Sequence, residues 1–249
     1  MAVNLADDQA ERFAVDGYCV WPDALTPAEL DSLREEADLA VRWQDARMAR
    51  REPVDSINRR GQHYFVPGRS RERRALQRYV LGERMAQICR RLVGQTAYLF
   101  TELFVCKEAH CELSFDWHQD SGYVHAFGFG EYPPNLTIWA ALDDATDENG
   151  ALWVEPFGAG SPRAVVPHRR REHDQLGADF EIRAPVLLEV AAGSLIILSG
   201  LLPHRSGPNR TTFVRRAHLS QFGPRPILKA GRPVQMAEPL LLDGVYVAR

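Results

Sequence analysis

The chain has 249 residues, 45% of them hydrophobic, and its 33 acidic and 30 basic side chains leave a formal charge of −3. This is the composition of an ordinary globular protein, with no drive towards nucleic acid or anionic membranes, and no apolar run approaches the length that spans a bilayer. The four cysteines, Cys19, Cys89, Cys106 and Cys111, show no C-x-x-C spacing and fall in apolar segments, so buried free thiols are expected.

The opening residues, from Met1 to Asp8, have neither a basic start nor an apolar signal core, which makes the cytoplasm the default location. A short helix is predicted over 8–16, stopped by Gly17 before the strand-like Tyr18-Cys19-Val20-Trp21. Thr26-Pro27-Ala28-Glu29 then combines an N-cap threonine, a proline at the first helical position and a glutamate three residues past the cap. With Leu30, Leu33, Ala37 and Val41 recurring on one face, it predicts a helix running to about Trp43. The polar, arginine-rich segment 47–74 carries no secure assignment, and a further helical stretch runs through Leu76, Val80, Met85, Ile88 and Leu92, broken at Gly82.

From Ala97 onward the chain turns to short β-rich runs separated by glycine, proline, aspartate and asparagine. Strands are expected over 98–107, 136–142, 151–155, 186–190, 194–198 and 213–222. The fold class is mainly β with N-terminal helices (α+β): a jelly-roll sandwich or barrel over about 96–249, with the helices of about 1–95 packed against it in one domain sharing one core.

His118 and Asp120, in Asp116-Trp117-His118-Gln119-Asp120, stand two apart, a spacing that on a β-strand puts both side chains on one face. His204, in Pro203-His204-Arg205-Ser206-Gly207-Pro208-Asn209, follows the apolar run 194–203 and would arrive from a distant strand. Two imidazoles and one carboxylate are the ligand set of non-haem Fe(II) oxygenases and leave positions open for a co-substrate and dioxygen. Asp116 is also two residues from His118, so spacing alone leaves either aspartate available. His110, His125, His168, His173 and His218 have no comparably placed carboxylate and are assigned no metal role.

These segments, with 138–152 and Arg215 downstream, resemble the phytanoyl-CoA dioxygenase family of Fe(II)- and 2-oxoglutarate-dependent oxygenases, and Phe13 to Glu29 is similar to that family's N-terminal pattern. The resemblance implies a double-stranded β-helix, the cupin-like form of the jelly roll, with His118, Asp120 and His204 as iron ligands, Asp120 being preferred over Asp116. It implies that Arg215 grips the distal carboxylate of 2-oxoglutarate, which suits a planar, permanently charged guanidinium. Ser206-Gly207-Pro208-Asn209 is a turn sequence that would let the chain reverse from the metal and return with Arg215 on a neighbouring strand, where alternation puts Phe213, Arg215, Ala217 and Leu219 inward. By family position Trp139 lies along the co-substrate pocket; Leu103 and Gln119 are candidate walls, and Ser206 is a candidate hydroxyl contact. The run 143–150 reads as a polar turn.

The implied chemistry is oxidation of a small organic molecule, lipid-like or a natural-product intermediate, by iron, 2-oxoglutarate and dioxygen with release of succinate and carbon dioxide. Hydroxylation is the usual outcome; desaturation, epimerisation or ring closure uses the same machinery, and the presence of Asp120 disfavours halogenation. Ser121 to Gly130 reads either as a mobile pocket wall or as a packed loop, and Pro167-His168-Arg169-Arg170-Arg171-Glu172-His173 either as a contact for a coenzyme A thioester or carrier-linked substrate or as a solvated basic loop. Arg59, Arg60, Gln62 and His63 stay unplaced. The competing classes are a zinc or manganese jelly-roll hydrolase or isomerase, which has no use for Arg215 as an anchor, and a non-catalytic binding barrel.

Overall fold

The computed structural model describes residues 5–126, 135–172 and 175–247. Among the described residues, five α-helices, α1 (Asp7–Asp16), α2 (Pro27–Ala49), α3 (Arg74–Val80), α4 (Glu83–Leu92) and α5 (Asp120–Ala126), accompany the strands. In chain order these are β1 (Tyr18–Trp21), β2 (His63–Pro67), β3 (Ala97–Lys107), β4 (Phe115–His118), β5 (Leu136–Ala141), β6 (Leu152–Val154), β7 (Arg169–Arg170), β8 (Leu176–Gly177), β9 (Val186–Leu188), β10 (Leu195–Ser199), β11 (His204–Ser206), β12 (Arg215–Gly223), β13 (Leu228–Lys229), β14 (Arg232–Pro233), β15 (Glu238–Leu242) and β16 (Val245–Tyr246).

The helix starts follow their sequence signals. Glu29 Oε2 accepts from Thr26 N at 2.8 Å while Thr26 Oγ1 accepts from Glu29 N at 3.3 Å, closing the capping box that α2 needs. Gly17, at φ +81°, ends α1 in the left-handed conformation that glycine tolerates best. Helix α2 continues past Trp43 to Ala49, and Gly82 separates α3 from α4 as expected.

An eight-stranded sheet runs β1-β10-β5-β12-β3-β15-β16, with β2 also on β3, and a four-stranded sheet runs β4-β11-β6-β9. The period-two alternation of the large sheet feeds two cores. Leu136, Ile138 and Ala140 of β5, with Leu195 and Ile197 of β10, pack against Leu33, Ala37, Leu76, Met85 and Ile88 from the helices. Trp139, Ala141, Ile196, Leu198 and Ala217 turn the other way and meet Leu152, Val154 and Leu188 of the small sheet. This is the cupin-like jelly roll with helices on one face.

Several expectations need correction. β1 forms where Tyr18–Trp21 reads as strand-like and joins the large sheet, whereas β2, from the unassigned segment, and β4 and β11 are not among the expected strands. β12 begins at Arg215, leaving Phe213 outside the strand and 77% exposed. β11 and β12 lie in different sheets, so the turn at 206–209 does not lead to a neighbouring strand but carries the chain across the sandwich. All four cysteines are free and buried, and burial raises the thiol pKa of Cys19, Cys89 and Cys106. Among the described residues no helix is long and apolar enough to cross a membrane.

Candidate active site

His118 is the last residue of β4 and Asp120 the first of α5, so the pair does not share a strand face; the chain changes from strand to helix between them. His204 opens β11 and is the direct cross-strand partner of His118, which brings the two rings to 4.2 Å between centroids. Asp120 Oδ1 lies 3.9 Å from His118 Nε2 and 3.8 Å from His204 Nε2, and one ligand atom from each residue falls within 4.8 Å of the others. Asp116 stands apart: it is half exposed and faces Arg171.

The donor set fits a divalent transition metal. His118 Nδ1 meets the carbonyl oxygen of Asp116 at 2.7 Å, and His204 Nδ1 meets that of Leu202 at 3.0 Å. A carbonyl only accepts, so each Nδ1 carries the proton and each Nε2 presents its lone pair to the shared centre. Burial, then the neighbouring His204, depress the pKa of His118 and keep it in the neutral, ligating form. Thr137 Oγ1 donates to Asp120 Oδ2, which leaves Oδ1 facing the imidazoles.

The three side chains line a cavity of about 330 Å³ between the two sheets, which Arg215, Trp139, Ser206 and Leu103 also line. Arg215 is 1% exposed, and burial pushes its pKa down to about 10. Its guanidinium carbon lies 5.6 Å from the centre of the Trp139 ring, and Nη2 donates to the carbonyl of Gly150 at 3.2 Å. The 143–150 turn thus does more than connect strands: Gly150, at φ +85°, helps turn its carbonyl towards Arg215. Nη1 is buried with no hydrogen-bond partner among the described residues. On the opposite face of β12, Arg216 makes a bidentate pair with Asp143, at 2.9 Å for both contacts.

Gln119 is not part of the cavity wall. Its amide nitrogen donates to the carbonyls of Ala164 (3.0 Å) and Leu201 (2.6 Å), and its oxygen accepts from Val166 N (2.8 Å), tying the His118–Asp120 junction to the turn before His204. His168, given no metal role, supports the same junction by accepting from Gln119 N at 2.9 Å. Of the basic stretch, Arg169 and Arg171 are committed to Asp179. Ser121 to Ala126 form α5, while Phe127, Gly128, Phe129, Gly130 and His173 lie outside the described residues.

Sequence reasoning passed over Lys107. It is fully buried on β3 as the direct partner of both Arg215 on β12 and His63 on β2, and its ammonium donates to Ser206 Oγ at 3.0 Å and to the carbonyl of Gly207. Burial, then Arg215, drive its pKa far below the usual lysine value. The signal was present as one lysine closing the apolar stretch Leu103-Phe104-Val105-Cys106 of an expected strand. From the unassigned 47–74 segment, Asp55, Ile57, Phe65 and Pro67 join the cavity lining, whereas Arg60 is exposed and lies 3.8 Å from Asp45.

Residues 13–217 match the sequence profile of the phytanoyl-CoA dioxygenase family. The chain is 28% identical over 174 residues to an L-proline trans-4-hydroxylase of Streptomyces griseoviridis, across 67% of this chain and 61% of that protein, so the shared stretch is under two thirds of the relative's length. Its fold is similar to that of EctD from S. alaskensis, solved with 2-oxoglutarate and 5-hydroxyectoine (TM-score 0.74, 20% identity, 98% of this chain and 88% of that one). It is also similar to the α-ketoglutarate-dependent carbocyclase SnoK from nogalamycin biosynthesis (TM-score 0.70, 21% identity, 93% and 94%). With most of its length inside the family profile, this chain belongs to the phytanoyl-CoA dioxygenase family.

Proposed function

We propose that the protein is an Fe(II)- and 2-oxoglutarate-dependent dioxygenase that hydroxylates an unactivated C–H bond of a small organic molecule. The observation that carries this reading is the convergence of His118, Asp120 and His204 on the cavity that Arg215 also lines, with one buried guanidinium nitrogen of Arg215 left without a partner. In this reading the triad holds iron. Iron bound with 2-oxoglutarate and dioxygen supplies oxidative decarboxylation of the keto acid to succinate and carbon dioxide, and with it an oxidant strong enough to take hydrogen from carbon.

The chain's own residues do the rest. Arg215 binds the distal carboxylate through the free nitrogen, with Trp139 along the guanidinium and Ser206 offering its hydroxyl beside it. Lys107 holds Ser206 in place next to Arg215. Leu103 and its apolar neighbours exclude water from the centre. A zinc hydrolase has no call for buried cations at this distance from bulk solvent, which favours the keto-acid reading.

The test is aerobic succinate formation from 2-oxoglutarate with Fe(II) and ascorbate across a broad panel of small molecules. Activity is expected in the native protein and is lost in His118→Ala, Asp120→Ala and His204→Ala. Absence of both 2-oxoglutarate binding and turnover in the native protein overturns the reading.

A further inference from the structure

Once the triad is assigned to iron and Arg215 to the co-substrate, as in the function proposed above, the remaining cavity wall is what a substrate meets. It is largely aliphatic and aromatic, with Phe65, Phe100, Val105, Phe115 and Leu219 among its members, and its remaining charged side chains among the described residues are Asp55 and Arg205. Arg205 is exposed, alternating with the buried His204 and Ser206 on β11, and its guanidinium stacks between Trp117 and Trp153 at 5.5 and 5.4 Å. The basic stretch around Arg169 and Arg171 is neutralised by Asp179 and Asp116. Residues outside the described set contain no lysine, and their single arginine is the C-terminal Arg249. Beyond Arg215, the described wall therefore offers a second anion only Arg205, which is exposed and held between two indoles.

Thr101, Tyr123, Gln175, Gln221 and Gln235 are the neutral polar side chains of the remaining wall; Gln175 is bonded at both ends of its amide and Thr101 bonds Gln235, whereas Gln221 follows Arg215, Ala217 and Leu219 on the inward face of β12 and is 8% exposed. Its orientation follows from its neighbours. Asp120 Oδ2 accepts only, so the hydroxyl proton of Thr137 is committed there. Thr137 Oγ1 must then accept, and Gln221 Nε2 donates to it at 3.3 Å. That fixes the amide with its carbonyl oxygen, which has no partner among the described residues, available to the cavity. A largely apolar ligand that fills the cavity displaces water from this acceptor, which is unfavourable unless a ligand O–H or N–H takes the water's place.

We propose that the substrate is a neutral, mainly apolar molecule whose hydroxyl or amide N–H donates to Gln221 Oε1, and that it carries no carboxylate, phosphate or coenzyme A thioester. Gln221 is then a specificity-determining residue, linked through Thr137 to the metal-ligating carboxylate.

The test uses probes with one hydrocarbon body, bound anaerobically to protein loaded with Fe(II) and saturating 2-oxoglutarate and measured by calorimetry. Octan-1-ol and octanamide are expected to bind at least about tenfold more tightly than octan-2-one, octanoate or octanoyl-CoA, because only they satisfy the acceptor without bringing charge. In Gln221→Met, octan-1-ol should fall to the level of octan-2-one while octan-2-one and 2-oxoglutarate are unchanged; a merely structural role would weaken all three. Octanoate or octanoyl-CoA binding as tightly as octan-1-ol, equal binding of octan-2-one, or no binding by either neutral donor overturns the proposal while leaving the dioxygenase reading intact. Failure of 2-oxoglutarate itself to bind overturns both.

Discussion

Lys107 and Arg215 stand directly opposite each other across β3 and β12, both buried, with no carboxylate bonded to either among the described residues. Like charges in register on one sheet face repel, and each cation loses its hydration. The pair is therefore a local liability that a bound dicarboxylate relieves. Lys107→Met removes the repulsion together with the bonds to Ser206 Oγ and the Gly207 carbonyl, so the urea midpoint of the ligand-free protein should shift by no more than about 1–3 kcal/mol. Added 2-oxoglutarate should then stabilise the variant much less than the native protein, since ligand stabilisation tracks affinity. Full stabilisation of the variant by 2-oxoglutarate would show that Lys107 only packs.

The hydroxyl of Thr137 orients Asp120 by donating to Oδ2. Thr137→Val keeps the shape and removes that proton, so metal affinity should fall about 10- to 100-fold, the usual cost of losing a partner behind a metal ligand. Thr137→Ser retains the hydroxyl and should bind metal nearly as the native protein does. Cobalt(II) titration followed by absorbance measures both, and native-like affinity in Thr137→Val would remove Thr137 from the site.

How far the sequence reached is clearest at particular residues. The capping box at Thr26 and the alternation along β5, β10 and β12 were readable because local chemistry decides them. The convergence of His118, Asp120 and His204 was anticipated, but for the wrong local reason: they meet through a strand–helix junction and a cross-strand pair, not through a shared strand face. Gln119 looked like a wall because it lies between two ligands, yet its three side-chain bonds to distant backbone groups are a long-range property that composition does not encode. Strand β2 was hidden by polar surroundings, and its pairing with β3 is what buries His63. Lys107 escaped notice because a lysine at a strand end is ordinarily solvated, and only register shows it facing Arg215.

Gly122 permits the support that His168 gives to the metal-site junction. A methyl group at this position would lie 1.9 Å from Cε1 of the His168 ring, while His168 Nε2 accepts from Gln119 N at 2.9 Å. Gly122→Ala should therefore cost about 1–3 kcal/mol of stability, the range for overpacking, and weaken cobalt(II) binding as the junction shifts. The double variant Gly122→Ala/His168→Ala removes the clash and should be more stable than the sum of the single changes implies. Strict additivity in urea denaturation would mean that the two positions do not press on each other.

The pH response of the metal-free protein follows from its buried imidazoles. Burial, then Lys107 and Arg215, hold the pKa of His63 well below its ordinary value, and burial also depresses those of His118 and His168. An unfolded histidine takes up its proton near pH 6.5, whereas these folded ones do not, so the unfolded chain binds more protons as the pH drops below about 6.5. Stability should be fully present above that value and decline through the acid range until the folded rings protonate. One such group contributes a slope of about 1.4 kcal/mol per pH unit inside its window. His63→Phe, which keeps an aromatic ring against Phe65 and Phe115, should reduce the slope between pH 6 and 5 by about that amount, measured by urea unfolding in the presence of a chelator. Parallel curves for the variant and the native protein would show that His63 titrates alike in both states and that Lys107 and Arg215 exert no field on it.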